Sequence, residues 1–384
     1  MSTARTRTLR EIAQLNPRAA QLEPEDEVAF VGMADLDDVS ARTTSDTRRP
    51  YSEVSKGYTP FRNGDLLAAK ITPCWQNGKI GVATLDVEHG VGSTEFHVIR
   101  PDDEVNPRYL LHFLRTPEVR ETGTLRMTGS GGQRRVPLKF MSDLQVPLPQ
   151  AEVQHRIASI LDEADAIRTK RRAQLAHLDE LPQVLFHGMF GGEPGTTTLA
   201  EVASFFGGSS LPPSIPFDGQ AGGSLLTKVS DMNLSGNETR IHRTVGWTSQ
   251  PTARASTVPA GAVVLPKRGA AIATNKKRIT TRQSALDPNL MGVMPNTDKA
   301  LTDYLFEWFR SFNLSSITSG SSVPQLNKKD LSPLALPLPP LAEQRVFSEK
   351  LTAIDAERDR VARALDADDE LFAALQHRAF RGEL

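Results

Sequence analysis

The chain has one cysteine, Cys74, in 384 residues. That excludes an internal disulfide and any zinc site built on several cysteines, and leaves Cys74 as a structural thiol. No apolar run approaches the ~20 residues of a membrane-crossing helix. Arg5, Arg7 and Arg10 are followed by no apolar stretch, so no secretory leader is expected and a cytoplasmic protein is. The chain has no Gly-x-x-x-x-Gly-Lys phosphate loop, and its eight histidines form no His-Glu-x-x-His pair. ATP hydrolysis and zinc catalysis therefore lose their support, and no catalytic residue, cofactor or metal is expected on this chain. Asn106-Pro107-Arg108-Tyr109 approaches the Asn-Pro-Pro-Tyr run with which amino-methyltransferases grip a flipped base, but Arg108 replaces the second proline. It reads better as a helix start, with Asn106 as N-cap and Pro107 in the first turn. Asp287-Pro288-Asn289-Leu290 lacks both the second proline and the aromatic. Gly129 to Gln133 is glycine-rich, but without a strand-to-helix context or a lysine it reads as a flexible loop.

A chain of this length, 39% hydrophobic and 24% charged, exceeds one comfortable domain and suits two globular units. The net charge of -1 is unpromising for a nucleic-acid binder, yet its distribution is uneven. Arg126, Arg134, Arg135 and Lys139 occupy an acid-free stretch, and so do Lys267, Arg268, Lys276, Lys277, Arg278 and Arg282. From Leu341 onward the chain is acid-rich and is expected to face away from nucleic acid.

The main signal is internal repetition. Val146-Pro147-Leu148-Pro149 recurs as Leu336-Pro337-Leu338-Pro339, an offset of 190 positions. The same offset matches Gln154 with Gln344, Asp165 with Asp355, Arg168 with Arg358, Asp179 with Asp369, His187 with His377 and Phe190 with Phe380. Leu9, Glu11 and Ala13 likewise match Leu199, Glu201 and Ala203, so the duplication spans the chain. Between these anchors the likeness needs gaps: Gly64 to Lys70 resembles Gly261 to Lys267, and Tyr109 to Arg115 resembles Tyr304 to Arg310. The well-kept segments begin after Pro149 and Pro339-Pro340 and read as helices of ~50 to 55 Å. In the second, positions 347, 351, 354, 358, 361, 365, 368, 372 and 375 form a coiled-coil seam. Pro182 is expected to kink or end the first. The divergent parts look mixed, with strands expected at Asp65 to Ile71, Ile80 to Leu85, Phe96 to Ile99 and Ala262 to Leu265 and a helix over Tyr109 to Leu114.

A variable part followed by Pro337-Leu338-Pro339-Pro340-Leu341-Ala342-Glu343-Gln344, with both repeated, resembles the specificity subunits of type I restriction-modification systems. The first copy keeps Pro147-Leu148-Pro149 and Gln154 but displaces the glutamate. Phe96 to Pro101 and the loop Ser319 to Gln325 are similar to recurrent features of that family's target-recognition domains. The resemblance implies an α+β protein: two mixed α/β target-recognition domains separated by two long antiparallel coiled-coil helices, with a pseudo-two-fold internal repeat. The domains are expected at 1–145 and 196–335, and the helical regions at 146–195 and 336–384. The implied partners are double-stranded DNA, two methyltransferase subunits and translocase-nuclease subunits, with no membrane. S-adenosylmethionine, ATP and Mg2+ are implied on those partners. The implied target is two half-sites divided by a spacer that the paired helices measure.

Candidate DNA contacts are Lys70, Gln133, Arg134, Arg135, Lys267, Arg268, Lys276, Lys277 and Gln325, chosen as polar loop residues and as equivalent lysines at strand ends. Two other readings stay open. One is a metal-dependent nuclease built on Asp65 with Lys70, or on Asp102-Asp103; the other is a coiled-coil scaffold whose variable domains bind proteins.

Overall fold

The computed structural model describes residues 5–45, 47–318 and 324–384. The chain forms two compact units, Met1–Gln174 with Val361–Leu384 and Leu175–Arg360.

In the first unit, Arg5–Thr8 pairs antiparallel with Gln145–Leu148. A six-stranded sheet carries Phe96–Pro101 between Ala13–Leu15 and Leu66–Ala69, and a four-stranded sheet is built on Glu27–Val31 and His89–Gly92. All four residues of Leu66–Ala69 are buried, as expected of a strand covered on both faces. The helix Pro107–Leu114 starts where the sequence places it. The Asn106 side chain accepts from the N–H groups of Arg108 and Tyr109, which satisfies two of the donors a helix start leaves unpaired.

The second unit repeats these devices. Thr197–Thr198 pairs antiparallel with Ala335–Leu336. Two five-stranded sheets follow, one with Leu290–Pro295 between Ala203–Gly207 and Val263–Pro266, the other centred on Ser224–Thr227. Thr8 with Glu11 and Thr198 with Glu201 close the same capping box after the opening strand of each unit.

The two long helices run Ala151–Phe190 and Leu341–Phe380, 40 residues each and longer than expected. Both begin under the same clamp. In the first unit the buried Gln154 accepts from Asn106 N at 2.9 Å and donates to the carbonyls of Glu104 and Pro149 at 3.1 and 3.0 Å. In the second, the buried Gln344 accepts from Leu301 N at 2.8 Å and donates to Lys299 and Pro339 at 3.0 and 2.8 Å. The hydroxyl of Tyr109 donates to the Pro147 carbonyl, and that of Tyr304 to the Pro337 carbonyl.

Within each unit the helix segments lie antiparallel. In the first, Ile157 and Leu161 share a cluster with Ala379, while Arg168 meets Asp369 at 2.5 Å and Arg171 meets Asp368 at 2.8 Å. In the second, Phe186 and Phe190 stack against Phe347, and Asp179 meets Arg358 at 2.6 Å. Pro182, expected to kink or end the first helix, lies inside it and does not end it. Its surroundings hold the segment on both sides: Asp179 is paired, Gln183 donates to the Glu307 carbonyl at 3.0 Å, and Phe186 is buried among aromatics. This packing offsets the roughly 3 kcal/mol that a proline costs inside a helix. Among the described residues no helix is long and apolar enough to cross a membrane.

Candidate nucleic-acid interface

In the first unit, the strand Leu66–Ala69 ends at Lys70. The Lys70 N–H donates to the Glu95 carbonyl at 2.8 Å, and the Lys70 carbonyl accepts from Val136 N at 2.8 Å. One residue on, Ile71 bridges to Arg135, and Thr72 N donates to the Arg134 carbonyl at 2.9 Å. The loop bearing these arginines closes on itself. Thr128 and Arg135 exchange two backbone hydrogen bonds of 3.0 and 2.8 Å, and the turn between them uses Gly129, Gly131 and Gly132, all at positive φ. The Thr72 hydroxyl fastens the loop, donating to the Gly132 carbonyl at 2.7 Å and accepting from Arg134 N at 3.1 Å. The loop is thus a stapled hairpin, where the sequence suggested a flexible one.

This construction brings four of the expected residues together. Gln133 and Arg134 are exposed, while Lys70 and Arg135 are half-buried. One Arg134 nitrogen donates to the Met127 carbonyl at 2.9 Å. Arg135 grips the Glu95 carboxylate through Nε and Nη2 at 2.7 to 3.1 Å, and this holds that carboxyl below its usual range. Beneath the loop, the buried His97 has Nε2 2.9 Å from the Val136 carbonyl; burial pushes its imidazole below the ordinary value and leaves Nδ1 without a hydrogen-bond partner.

The second unit builds the same seat. The strand Val263–Pro266 ends at Lys267, whose N–H donates to the Asn289 carbonyl at 2.7 Å and whose carbonyl accepts from Leu326 N at 2.9 Å. Arg268 then bridges to Gln325, and Gly269 N donates to the Pro324 carbonyl at 2.9 Å. Bond for bond, Lys70 corresponds to Lys267, Glu95 to Asn289, Ile71 to Arg268, Arg135 to Gln325 and Val136 to Leu326. Arg268 and Gln325 are exposed; Lys267 is half-buried, and burial followed by repulsion from Arg268 lowers its pKa. Of the expected loop Ser319 to Gln325, residues 319–323 lie outside the described residues. Lys328 and Lys329 are exposed just beyond this seat. The acid-free criterion passes over them because Asp330 follows; their chain position after Gln325 is the signal that finds them.

Lys276 and Lys277 take no part in the backbone bonds that build the second seat. Lys276 bonds to the Asn233 side chain. Lys277 is only 4% exposed, and its ammonium donates to Asn275 Oδ1 at 2.7 Å and to the Phe312 carbonyl at 2.9 Å. Burial and then the charge of Arg310 push it down to about 8. A phosphate contact expected from Lys277 is therefore opposed by its burial and its existing bonds.

Asp65, the residue on which a nuclease reading rests, is 1% exposed. Its carboxylate accepts from Arg100 Nε and Nη2 at 2.8 and 2.7 Å and from Arg62 N at 2.9 Å. This bidentate pair ties two neighbouring strands and accounts for Arg100 in the Phe96 to Pro101 run. Among the described residues, no three His, Cys, Asp or Glu side chains are grouped to hold a metal ion. What each seat can do chemically is donate hydrogen bonds and positive charge from a backbone-fixed platform, the requirement for holding phosphates and base edges.

The sequence model described as Type I restriction modification DNA specificity domain matches residues 1–177 and 263–364. The type I restriction enzyme EcoAI specificity subunit of Escherichia coli is 39% identical over 152 residues, 39% of this chain and 26% of that protein. The matched stretch is thus about a quarter of that relative's length. Among solved structures, a chain from work on complex assembly and conformational transition of the type I restriction-modification system superposes with a TM-score of 0.64 at 20% identity, covering 99% of this chain and 98% of that one. A type I restriction-modification S subunit from M. genitalium gives 0.57 at 14% identity, covering 98% and 96%. At these identities the superpositions speak for the fold.

Proposed function

Because the chain belongs to the family of type I restriction modification DNA specificity domains, we propose that it is the sequence-reading subunit of such a system and that its two basic seats each read one half of a bipartite DNA target. The observation that carries this reading is the equivalence of the seats: two divergent sequences place Lys70 and Lys267 at the same node of the same backbone hydrogen bonds. In each, the lysine grips phosphate, while Gln133, Arg134 and Arg135 in one seat and Arg268 and Gln325 in the other approach base edges.

In this reading 1–145 and 196–335 act as target-recognition domains. The helical regions 146–195 and 336–384 form an antiparallel coiled coil with a pseudo-two-fold axis that sets the spacer between half-sites. The chain recruits two methyltransferase subunits and translocase-nuclease subunits in the cytoplasm. Methyl transfer from S-adenosylmethionine and Mg2+-dependent ATP hydrolysis belong to those partners.

The test is duplex binding as a function of salt. Lys70→Gln and Lys267→Gln are each expected to lower the slope of log affinity against log salt by about one, and the double variant by about two. Slopes unchanged in both single variants would remove the seats from the interface. Methylome sequencing of a host with and without the chain then shows whether a two-part motif depends on it.

A further inference from the structure

The second unit contains a polar cavity of about 360 Å3. It is walled by the loop at Lys276 to Arg278, by Arg310 at the end of the helix Thr302–Arg310, and by Asp179, Asp355 and Arg358 of the long helices. Five cationic side chains line it: Lys276, Lys277, Arg278, Arg310 and Arg358. Three carboxylates, Asp179, Glu238 and Asp355, oppose them. Asp179 is paired with Arg358, Glu238 accepts from Gly236 N at 3.0 Å, and burial pushes the Asp355 carboxyl up, towards its neutral form.

The remaining cations crowd one another. After burial, the next cause lowering Lys277 is the charge of Arg310; for Arg278 the favourable charge of Glu238 comes before the opposing charge of Arg310. Arg278 donates through Nη1 to the Lys277 carbonyl at 2.7 Å and through Nη2 to the Met232 carbonyl at 3.0 Å, while its buried Nε–H has no hydrogen-bond partner. An unmatched buried donor on a guanidinium is costly, of the order of a few kcal/mol.

The first unit shows that this excess is not needed to pack the fold. There a cavity of about 230 Å3 is lined by Arg115, Asp165, Arg168 and Asp369, the counterparts of Arg310, Asp355, Arg358 and Asp179. Asp165 takes Arg168 at 2.8 Å and lies 3.9 Å from Arg115, and Asp369 takes Arg168 at 2.5 Å; with Arg120 also in the wall, three arginines face two carboxylates, against five cations and three carboxylates in the second unit. In the second unit Arg310 instead pairs with Glu307 at 3.0 Å, and Lys277 and Arg278 are added to the wall.

We propose that the cavity of the second unit binds a phosphate-class oxyanion, held by Arg278, Arg310 and Lys276. Phosphate matches a site of several converging N–H donors, because its oxygens accept many hydrogen bonds and its charge relieves the mutual repulsion of the cations. The volume admits a phosphate with a substituent of about sugar size. The residues of the seat, Lys267, Arg268 and Gln325, do not line the cavity.

The test is calorimetric titration of the full chain with inorganic phosphate, against chloride at matched ionic strength. Saturable binding of one phosphate is expected, weakened at least tenfold in Arg278→Gln and severalfold in Lys276→Gln. Lys276→Gln, whose side chain is less buried, decides the matter if Arg278→Gln does not fold. A duplex arm separates the sources of the phosphate. If DNA supplies it, inorganic phosphate competes with duplex and Arg278→Gln lowers duplex affinity. If a free phosphate ester supplies it, duplex affinity is indifferent to both. Phosphate acting no differently from chloride, or binding unweakened in whichever of the two cavity variants folds, overturns the proposal.

Discussion

The seats at Lys70 and Lys267 share a backbone and differ in almost every side chain around it. In the first, Arg135 is braced by the Glu95 carboxylate, so its guanidinium is fixed in direction and its charge is largely balanced. In the second, the same two positions hold the amides Gln325 and Asn289, and the exposed cation is Arg268, across the bridge where the first seat has Ile71. Main-chain hydrogen bonds carry the platform, and they do not depend on residue type. The side chains on it are consequently free to diverge without loss of the fold. An arginine held by a carboxylate suits the two acceptors of guanine, and a glutamine suits the donor and acceptor of adenine.

The comparison is broken most severely at the clamps. Gln154→Ala and Gln344→Ala each leave one N–H and two carbonyls without their side-chain partner, and each is expected to cost about 3 kcal/mol. Amide exchange should accelerate at Asn106 in the first variant and at Leu301 in the second; a large effect in one unit and none in the other would mean that the clamps are not equivalent. A smaller effect follows from exchanging seat chemistry. Arg135→Gln combined with Glu95→Asn gives the first seat the amides of the second and is expected to change base preference by about 2 kcal/mol at one position of one half-site. Selection from a randomised duplex library reads this, and an unaltered preference places the reading contacts elsewhere. The smallest effect concerns Lys277, which the first unit's cavity lacks. Its folded value of about 8 lies below the ordinary 10.5, so from pH 8 upward the unfolded chain binds more protons and stability rises with pH. The slope is at most about 1.4 kcal/mol per pH unit. It is best read below pH 10, because Tyr109 and Tyr304 are raised above their ordinary 10.0 by burial and act in the opposite sense beyond it. Lys277→Met should remove the rise in denaturation midpoint between pH 8 and pH 10.

What was legible in the sequence follows from how locally each feature is determined. The Asn106 cap, the strand at Leu66–Ala69 and the matched pair Gln154 and Gln344 depend on near neighbours or on the constant offset. The seats were only half legible. Lys70 and Lys267 are 197 positions apart while Val136 and Leu326 are 190 apart, so the second unit gains seven residues before its lysine and loses them again before Leu326. Gln325 therefore looks unrelated to Arg135 until the backbone bonds pair them. Glu95 and Asn289 enter through their carbonyls, which no residue pattern reveals. The burial of Lys277 was not legible, because a basic stretch records charge but not which side chains the fold turns inward. Pro182 leaves the helix unbroken because a proline's local penalty is smaller than the packing that surrounds it.

The division of the chain has a consequence for the order in which the protein is made. The second unit is one uninterrupted stretch, Leu175–Arg360, whereas the first also needs Val361–Leu384. Those residues supply Phe380 to the ring of Tyr109 at 5.3 Å, Gln376 to the His112 carbonyl at 3.0 Å and Asp369 to Arg168. On the ribosome, domains ordinarily close in the order in which they are translated. Here the earlier-born unit has to wait with Ile157 and Leu161 lacking their cover while the later-born one already has all its strands, and it closes only once Val361–Leu384 have been translated.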